Sequence, residues 1–330
     1  MNSTNNFSSL VNDELLMVML ELNEISNNHK TESNLNENII NHVLSIPGKQ
    51  LRPSLTIICS KIWDDEIDDK VIKMATAVEL LHIATLVHDD TVDFADTRRG
   101  EKTASNIWGP HIAVLVGDFL FATSAEYVCE TDSIRLIKQF ASTISDLAKG
   151  QLKEIENSVN INLKTNDYIN IIFQKTGSLF ATSAMSGALL GGAKESDINF
   201  IYEYGKKLGL GFQIFDDVLD FEGEESKLGK PIGSDLKNGI MTLPSIIAIK
   251  NNKKLKEEIE KMFTLSKKDK EEVIPGLVEK VVNSEAIELS KEKAEKLIDD
   301  SIKNINSIEK NNDYTKALVD LAISSKNRDK

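Results

Sequence analysis

An all-α fold is what this sequence predicts, on three observations. Leu, Ile, Ala, Lys and Glu are abundant in the 330 residues and prolines number only 6, a composition that favours helix. Apolar residues recur at three- and four-residue steps in several long segments, the period of a helix with one buried face. No run alternates apolar and polar residues between turn signals, as hairpin strands would. The hydrophobic share of 41% is that of a globular protein, and the length allows one large core or two ordinary ones. A net charge of −13 lacks the basic surface that nucleic acid demands, so no nucleic-acid partner is expected. Any site for a phosphate-bearing ligand must then be locally basic or filled with metal.

Taken in order, residues 1–31 hold one amphipathic helix around Leu10–Ile25, followed by the polar loop SNNHKTES. Pro47-Gly48 marks a turn, and Pro53 suits the first position of the next helix, where its missing N–H costs nothing. Lys49 and Arg52 flank that helix start, whose N–H groups favour anions, although such a pair taken alone reads more readily as plain surface charge than as a phosphate site. WDDEIDDK at 63–70 reads as a solvated acidic connection.

The segment Val71–Gly100 organises the rest. Val71, Met74, Ala75, Val78 and Leu81 mark a helix buried on most of its surface, which then runs into Asp89, Asp90 and Asp93. Asp89 and Asp93 stand four apart and share a face, with His82 seven residues before Asp89 on the same stripe. Carboxylates gathered at the end of an apolar helix repel one another and lose hydration; a hard divalent cation, above all Mg²⁺ shared with phosphates, would compensate them. Arg98 and Arg99 follow directly, suited to ion pairs or to an anion bridged between metal and guanidinium.

The loop GEKTASNIWGP leads to the helix HIAVLVGDFLFATSAEYVCE, whose Asp118 is expected as a buried, hydrogen-bonded carboxylate. Residues 131–165 continue as helix, with Gln151 and Glu154 on a face the pattern leaves open. In FQKTGSLFATSAMSGALLGGA, Lys175-Thr176-Gly177 precedes a run of Ala, Ser and Gly that predicts close helix packing. GLGFQIFDDVLDFEG repeats the acidic pattern, with Gln213, Asp216, Asp217 and Asp220 at i, i+3, i+4 and i+7. One DDxxD alone reads equally as a solvated helix end. Two on apolar helices, if they oppose each other, gather six carboxylates that only divalent ions could hold together.

SKLGKPIGSDLKNGIMTLP, with Lys230 and Lys237, reads as a loop closing over phosphates or as a flexible connection. From 251 onward, NNKKLKEEIEKMF and EAIELSKEKAEKLIDDSIKNI are Lys/Glu-rich amphipathic helices, scaffold rather than site. Cys59 and Cys129 have no spacing pattern and read as small core residues in a reducing compartment. The N-terminus lacks the early basic residues of a secretory signal, and no uncharged apolar run reaches the roughly 18 residues of a bilayer span. A soluble, cytoplasmic protein is the expectation.

The ordered set GKQLRP, LLHIATLVHDDTVD with RRG, KTG, and GFQIFDDVLD followed by GKPIGSDL makes residues 48–242 resemble the trans-isoprenyl diphosphate synthases, or polyprenyl synthetases. The context ATLVHDD is most similar to the long-chain octaprenyl and heptaprenyl members. The resemblance implies one domain over 1–330, a single large helical bundle of the isoprenoid synthase type around a deep central cavity, and a homodimer. It implies Mg²⁺-dependent head-to-tail condensation of isopentenyl diphosphate with an allylic diphosphate such as farnesyl diphosphate.

By the same resemblance, Asp89, Asp93, Asp216 and Asp220 hold about three Mg²⁺ ions per site. Arg98, Lys175, Thr176, Gln213 and Lys230 contact the allylic diphosphate, with Lys175, Thr176 and Gln213 closest to the chemistry. Lys49, Arg52, His82 and Arg99 bind isopentenyl diphosphate, and the departing diphosphate itself takes the proton. Ala84 and Thr85 help form the cavity floor: Ala84 lies about 7 Å along the helix from Asp89, and so small a residue implies a product longer than C20. Such a product is insoluble, which implies transient membrane contact. Ile240 departs from the family pattern, which has lysine there, so one phosphate contact is missing. The alternatives are a geranylgeranyl diphosphate synthase, a terpene cyclase, disfavoured by the intact second acidic motif, and a non-catalytic subunit of a heteromeric synthase.

Overall fold

The computed structural model describes residues 7–28, 34–45, 48–223, 231–250 and 252–326. Helices α1 (Asn12–Asn28), α2 (Asn34–Ser45), α3 (Leu51–Lys61) and α4 (Asp69–Val92) come first. A two-residue hairpin, β1 (Thr97–Arg98) with β2 (Glu101–Lys102), leads to α5 (Ala104–Trp108), α6 (Pro110–Cys129) and α7 (Ile134–Glu156). Helix α8 (Thr165–Ile172) passes into a π-helical turn, Phe173–Gly177, followed by α9 (Ser178–Leu190) and α10 (Glu195–Glu222). Then come α11 (Ser234–Lys237), α12 (Leu243–Lys250), α13 (Lys253–Phe263), α14 (Lys267–Val282), α15 (Ala286–Asn306) and α16 (Asp313–Lys326).

The all-α expectation holds. Among the described residues the hairpin is the one departure: Arg99 and Gly100, both at positive φ (53° and 86°), make a two-residue turn of the kind that joins antiparallel strands. Strands this short leave no alternating pattern to read.

Two compact units emerge, one of Met1–Ser142, Leu179–Tyr202 and Ser307–Asp320, the other of Thr143–Ser178, Glu203–Asn306 and Leu321–Lys330. In the first, α4 is the central element. Asp68 caps it, accepting a hydrogen bond from the Lys70 amide (3.0 Å), so the acidic connection at 63–70 has a structural role besides solvation. Its stretch from Val71 to Leu81 is buried except at Lys73. Helix α6 packs along α4 and comes close at Gly117, where a Cβ would stand 2.1 Å from His88 Nε2.

Helices α3 and α9 meet backbone to side: Cβ atoms at Gly187 and Gly191 would lie 1.9 Å from the Thr56 carbonyl oxygen and 2.3 Å from that of Ser60. The run of small residues therefore packs against a helix, as expected. Pro53 falls at the third rather than the first position of α3, still within the turn whose N–H groups have no intrahelical acceptor. Asp118 corrects another expectation. It is exposed, with Oδ1 3.5 Å from His88 Nε2, because that side of α6 also leaves Val114 and Leu115 uncovered.

In the second unit α12 packs on α15, and Gly211 of α10 lies beneath Ile298, whose Cδ1 would meet a Cβ at 2.7 Å. Leu255, Ile259 and Met262 bury one stripe of α13 at i, i+4 and i+7, as its amphipathic sequence implies. By length and composition α4 and α6 would suffice to cross a bilayer; 67% of the apolar window of α4 is buried within the protein.

Candidate active site

The first acidic motif ends α4, with Asp93 as its C-cap. Its middle member, Asp90, is buried and engaged twice over by Arg98, whose Nε lies 2.8 and 2.7 Å from the two carboxylate oxygens and whose Nη2 lies 2.6 Å from Oδ1. This bidentate pair ties the hairpin to the helix end. Asp89 is half-buried and Asp93 exposed. Arg98, expected to contact an allylic diphosphate, thus spends one edge of its guanidinium on Asp90.

Arg52, His82 and Arg99 gather near one another. The Arg52 guanidinium sits over the Phe180 ring, 4.7 Å from its centroid, and Arg99 lies against Gly48, where a Cβ would stand 2.8 Å from Nη1. Burial, then the positive charges of Arg52, Arg99 and Arg98, hold His82 well below the usual imidazole range, so it is neutral. Glu79, one turn before His82 and missed in the sequence, is buried beside Arg52 and Arg99; burial raises its carboxyl above the usual range and the two guanidiniums oppose that rise. A lone glutamate inside an apolar helix was the available signal. Lys49 is exposed in the loop before α3. Ala84 is fully buried, and Thr85 donates its hydroxyl to the His82 carbonyl at 2.7 Å.

The second acidic motif lies on α10, in the other unit. Asp217, again the middle member, is buried and accepts from the Tyr168 hydroxyl at 2.6 Å and from Gln213 Nε2 at 3.0 Å. Gln213 Oε1 in turn accepts from the Thr176 hydroxyl at 2.7 Å. Burial and the carboxylates of Asp235 and Asp216 push the Asp217 carboxyl up to about 8, against the two donated hydrogen bonds. Asp216 is half-buried; Asp220 is fully buried, its Oδ2 accepting from the Asp235 amide at 3.1 Å.

Lys175 and Thr176 sit on the π turn, a local geometry that recurs at functional sites and that the sequence does not announce. The Lys175 ammonium pairs with Glu154 of α7, which settles the face of Glu154. Lys230 lies outside the described residues. Lys237, a conceivable substitute for the lysine that Ile240 replaces, pairs with Glu271 at 2.8 Å.

The donors of both motifs are hard carboxylate oxygens, the chemistry Mg²⁺ prefers. Among the described residues no three acidic, imidazole or thiol groups close around one ion by themselves. An ion here would draw its remaining ligands from phosphate oxygens and water, the habit of Mg²⁺ in phosphate-handling proteins. In each motif the middle aspartate is bound within its own unit, Asp90 by Arg98 and Asp217 by Tyr168 and Gln213, and in the second motif Asp220 is bound there as well.

The polyprenyl synthetase family model matches residues 33–281. Solanesyl diphosphate synthase 1, chloroplastic, of Arabidopsis thaliana is 35% identical over 281 residues, covering 84% of this chain and 68% of the relative. The heptaprenyl diphosphate synthase structure from Staphylococcus aureus superposes with a TM-score of 0.89 at 30% identity, over 96% of this chain and 98% of that one. A Caulobacter crescentus polyprenyl synthase, solved with calcium and isoprenyl diphosphate, gives the same TM-score and identity over 99% and 98%. With two DDxxD helices, a lysine-threonine π turn and this breadth of similarity, the chain belongs to the polyprenyl synthetase family and is a trans-prenyltransferase.

Proposed function

We propose that the protein condenses isopentenyl diphosphate head-to-tail with an allylic diphosphate of farnesyl size, using Mg²⁺, and extends it to an all-trans product longer than C20. The observation that carries this reading is a DDxxD set of hard carboxylate oxygens on each of α4 and α10, each with its middle aspartate held by a protein donor, Arg98 on Asp90 and Tyr168 on Asp217; the resemblance makes Asp89, Asp93, Asp216 and Asp220 the proposed metal ligands. The long-chain relatives, solanesyl and heptaprenyl synthases, support the product class. The calcium and isoprenyl diphosphate of the Caulobacter enzyme support the pairing of divalent metal with a diphosphate.

About three Mg²⁺ ions, when bound, would neutralise the charge that grows on the departing diphosphate. Lys175, Thr176, Gln213, Arg98 and Lys230 take the same leaving group by charge and hydrogen bond, stabilising it where the charge develops. Lys49, Arg52 and Arg99 orient isopentenyl diphosphate, and neutral His82 adds a hydrogen bond without further charge. No side-chain base is assigned, since the released diphosphate removes the proton. The uncovered Val114 and Leu115 of α6, with Ile107 just before it, support a homodimer. The reading also makes the protein cytoplasmic, with transient membrane contact on product release.

Purified protein given Mg²⁺, farnesyl diphosphate and isopentenyl diphosphate is expected to yield products longer than C20 by chromatography. Termination at C15 or C20, or no turnover of the protein alone, sinks the proposal in favour of a shorter-chain enzyme or a silent subunit. Ala84 provides the matching variant. Its side chain is fully buried, so a phenyl ring there fits only if an elongation cavity receives it. Ala84→Phe is expected to remain folded and to shorten the product to C15–C20; an unchanged product distribution would remove Ala84 from the cavity floor.

A further inference from the structure

Tyr168 belongs to no motif, yet its hydroxyl donates to Asp217 of the second acidic motif at 2.6 Å. It is 3% exposed, on α8, eight residues before Thr176 on the π turn. Both reach α10, Tyr168 through Asp217 and Thr176 through Gln213, and those two acceptors bond each other one turn apart. Four side chains therefore form a continuous chain of three hydrogen bonds that links α8 and its π turn to α10 at two points.

Helix geometry explains why the π turn is needed. In a continuous α-helix, residues eight apart are rotated by about 80°, too far for both to face the same neighbouring helix. A π turn inserts one extra residue, so the pair behaves like positions seven apart, within about 20° of each other. The irregular turn puts Tyr168 and Thr176 on one face, and the Tyr168 hydroxyl fixes that register by holding Asp217.

We infer that Tyr168 is a positioning residue for the allylic diphosphate half-site, locking Asp217 and Gln213 so that Thr176, Lys175 and the adjacent Asp216 keep the arrangement that half-site requires. The inference rests on the function proposed above. Both Asp217 oxygens accept from protein donors, which aims this carboxylate away from a role as ligand. The phenol satisfies an oxygen that burial has stripped of water, and its loss frees the carboxylate to turn.

The test is Tyr168→Phe, which removes one oxygen and keeps the ring. Calorimetry with Mg²⁺ and a non-ionisable thiolo analogue of farnesyl diphosphate, and separately with isopentenyl diphosphate, reads each half-site without turnover. The variant is expected to bind the allylic analogue about tenfold more weakly, the factor one buried hydrogen bond supports, while isopentenyl diphosphate affinity stays within twofold. Amide exchange over 173–177 should accelerate. Asp217→Asn, which weakens the acceptor instead, should show the same selective loss, and adding Tyr168→Phe to it should cost nothing more. Equal affinity of Tyr168→Phe and wild type for the analogue, or parallel loss of both ligands, overturns the inference alone. A wild-type protein that fails to bind the analogue overturns the proposed function and the inference with it.

Discussion

Asp89→Asn and Asp216→Asn are each expected to lower kcat by about 10³-fold while leaving the protein folded. The amide keeps the carboxylate's shape but loses its charge, and both positions are half-buried, so little packing changes. Under the proposed function charge matters here, because ionisation of an allylic diphosphate would leave electrons on the departing group and each lost metal ligand would weaken the stabilisation of that charge. The middle aspartates should behave differently. Asp90→Asn breaks the bidentate pair with Arg98, and Asp217→Asn disturbs the path to Tyr168, so each should also lower stability, by about 1–3 kcal/mol. Single-turnover kinetics together with thermal unfolding separate the two classes. If Asp89→Asn and Asp216→Asn both retain kcat within tenfold of wild type, the assignment of metal ligands fails.

The helical setting of both motifs was legible before any coordinates. The DDxxD spacings state which carboxylates share a helical face, because 3.6 residues per turn is a property of the backbone and not of its surroundings. The spacing could not say which aspartate faces inward. That depends on the partner each takes: Arg98, eight residues on and already suited to an ion pair by its place in the sequence, reaches Asp90 through the hairpin, whereas Tyr168, 49 residues before Asp217 on another helix, leaves no local signature. The π turn was hidden for a similar reason, since phenylalanine, glutamine, lysine, threonine and glycine have no shared preference for i→i+5 bonding. Asp118 was misread because an apolar sequence suggests burial, whereas α6 leaves part of its apolar surface uncovered. Lys237, three residues before Ile240, pairs with Glu271.

Gly187→Ala is expected to destabilise the protein by about 3 kcal/mol, a shift of roughly 4 °C in Tm for a chain of 330 residues. The new methyl would stand 1.9 Å from the Thr56 carbonyl oxygen and 2.9 Å from its carbon, both backbone atoms, so no rotamer change relieves it and α3 itself must retreat. Helix α3 carries Arg52, which stacks on Phe180 of α9, and its displacement carries the guanidinium away from His82 and Glu79. The KM for isopentenyl diphosphate should therefore rise together with the loss of stability, while the allylic KM moves less. Gly276 supplies the internal control. It lies within α14 with nothing inside 4 Å of an added Cβ, so Gly276→Ala should stabilise by about 0.5–1 kcal/mol through backbone entropy alone. The same chemical change thus carries opposite signs at two helical glycines, decided by whether a carbonyl oxygen or open space awaits the methyl. Equal Tm values for the two variants would refute the α3–α9 contact and, with it, the stacking that holds Arg52 in place.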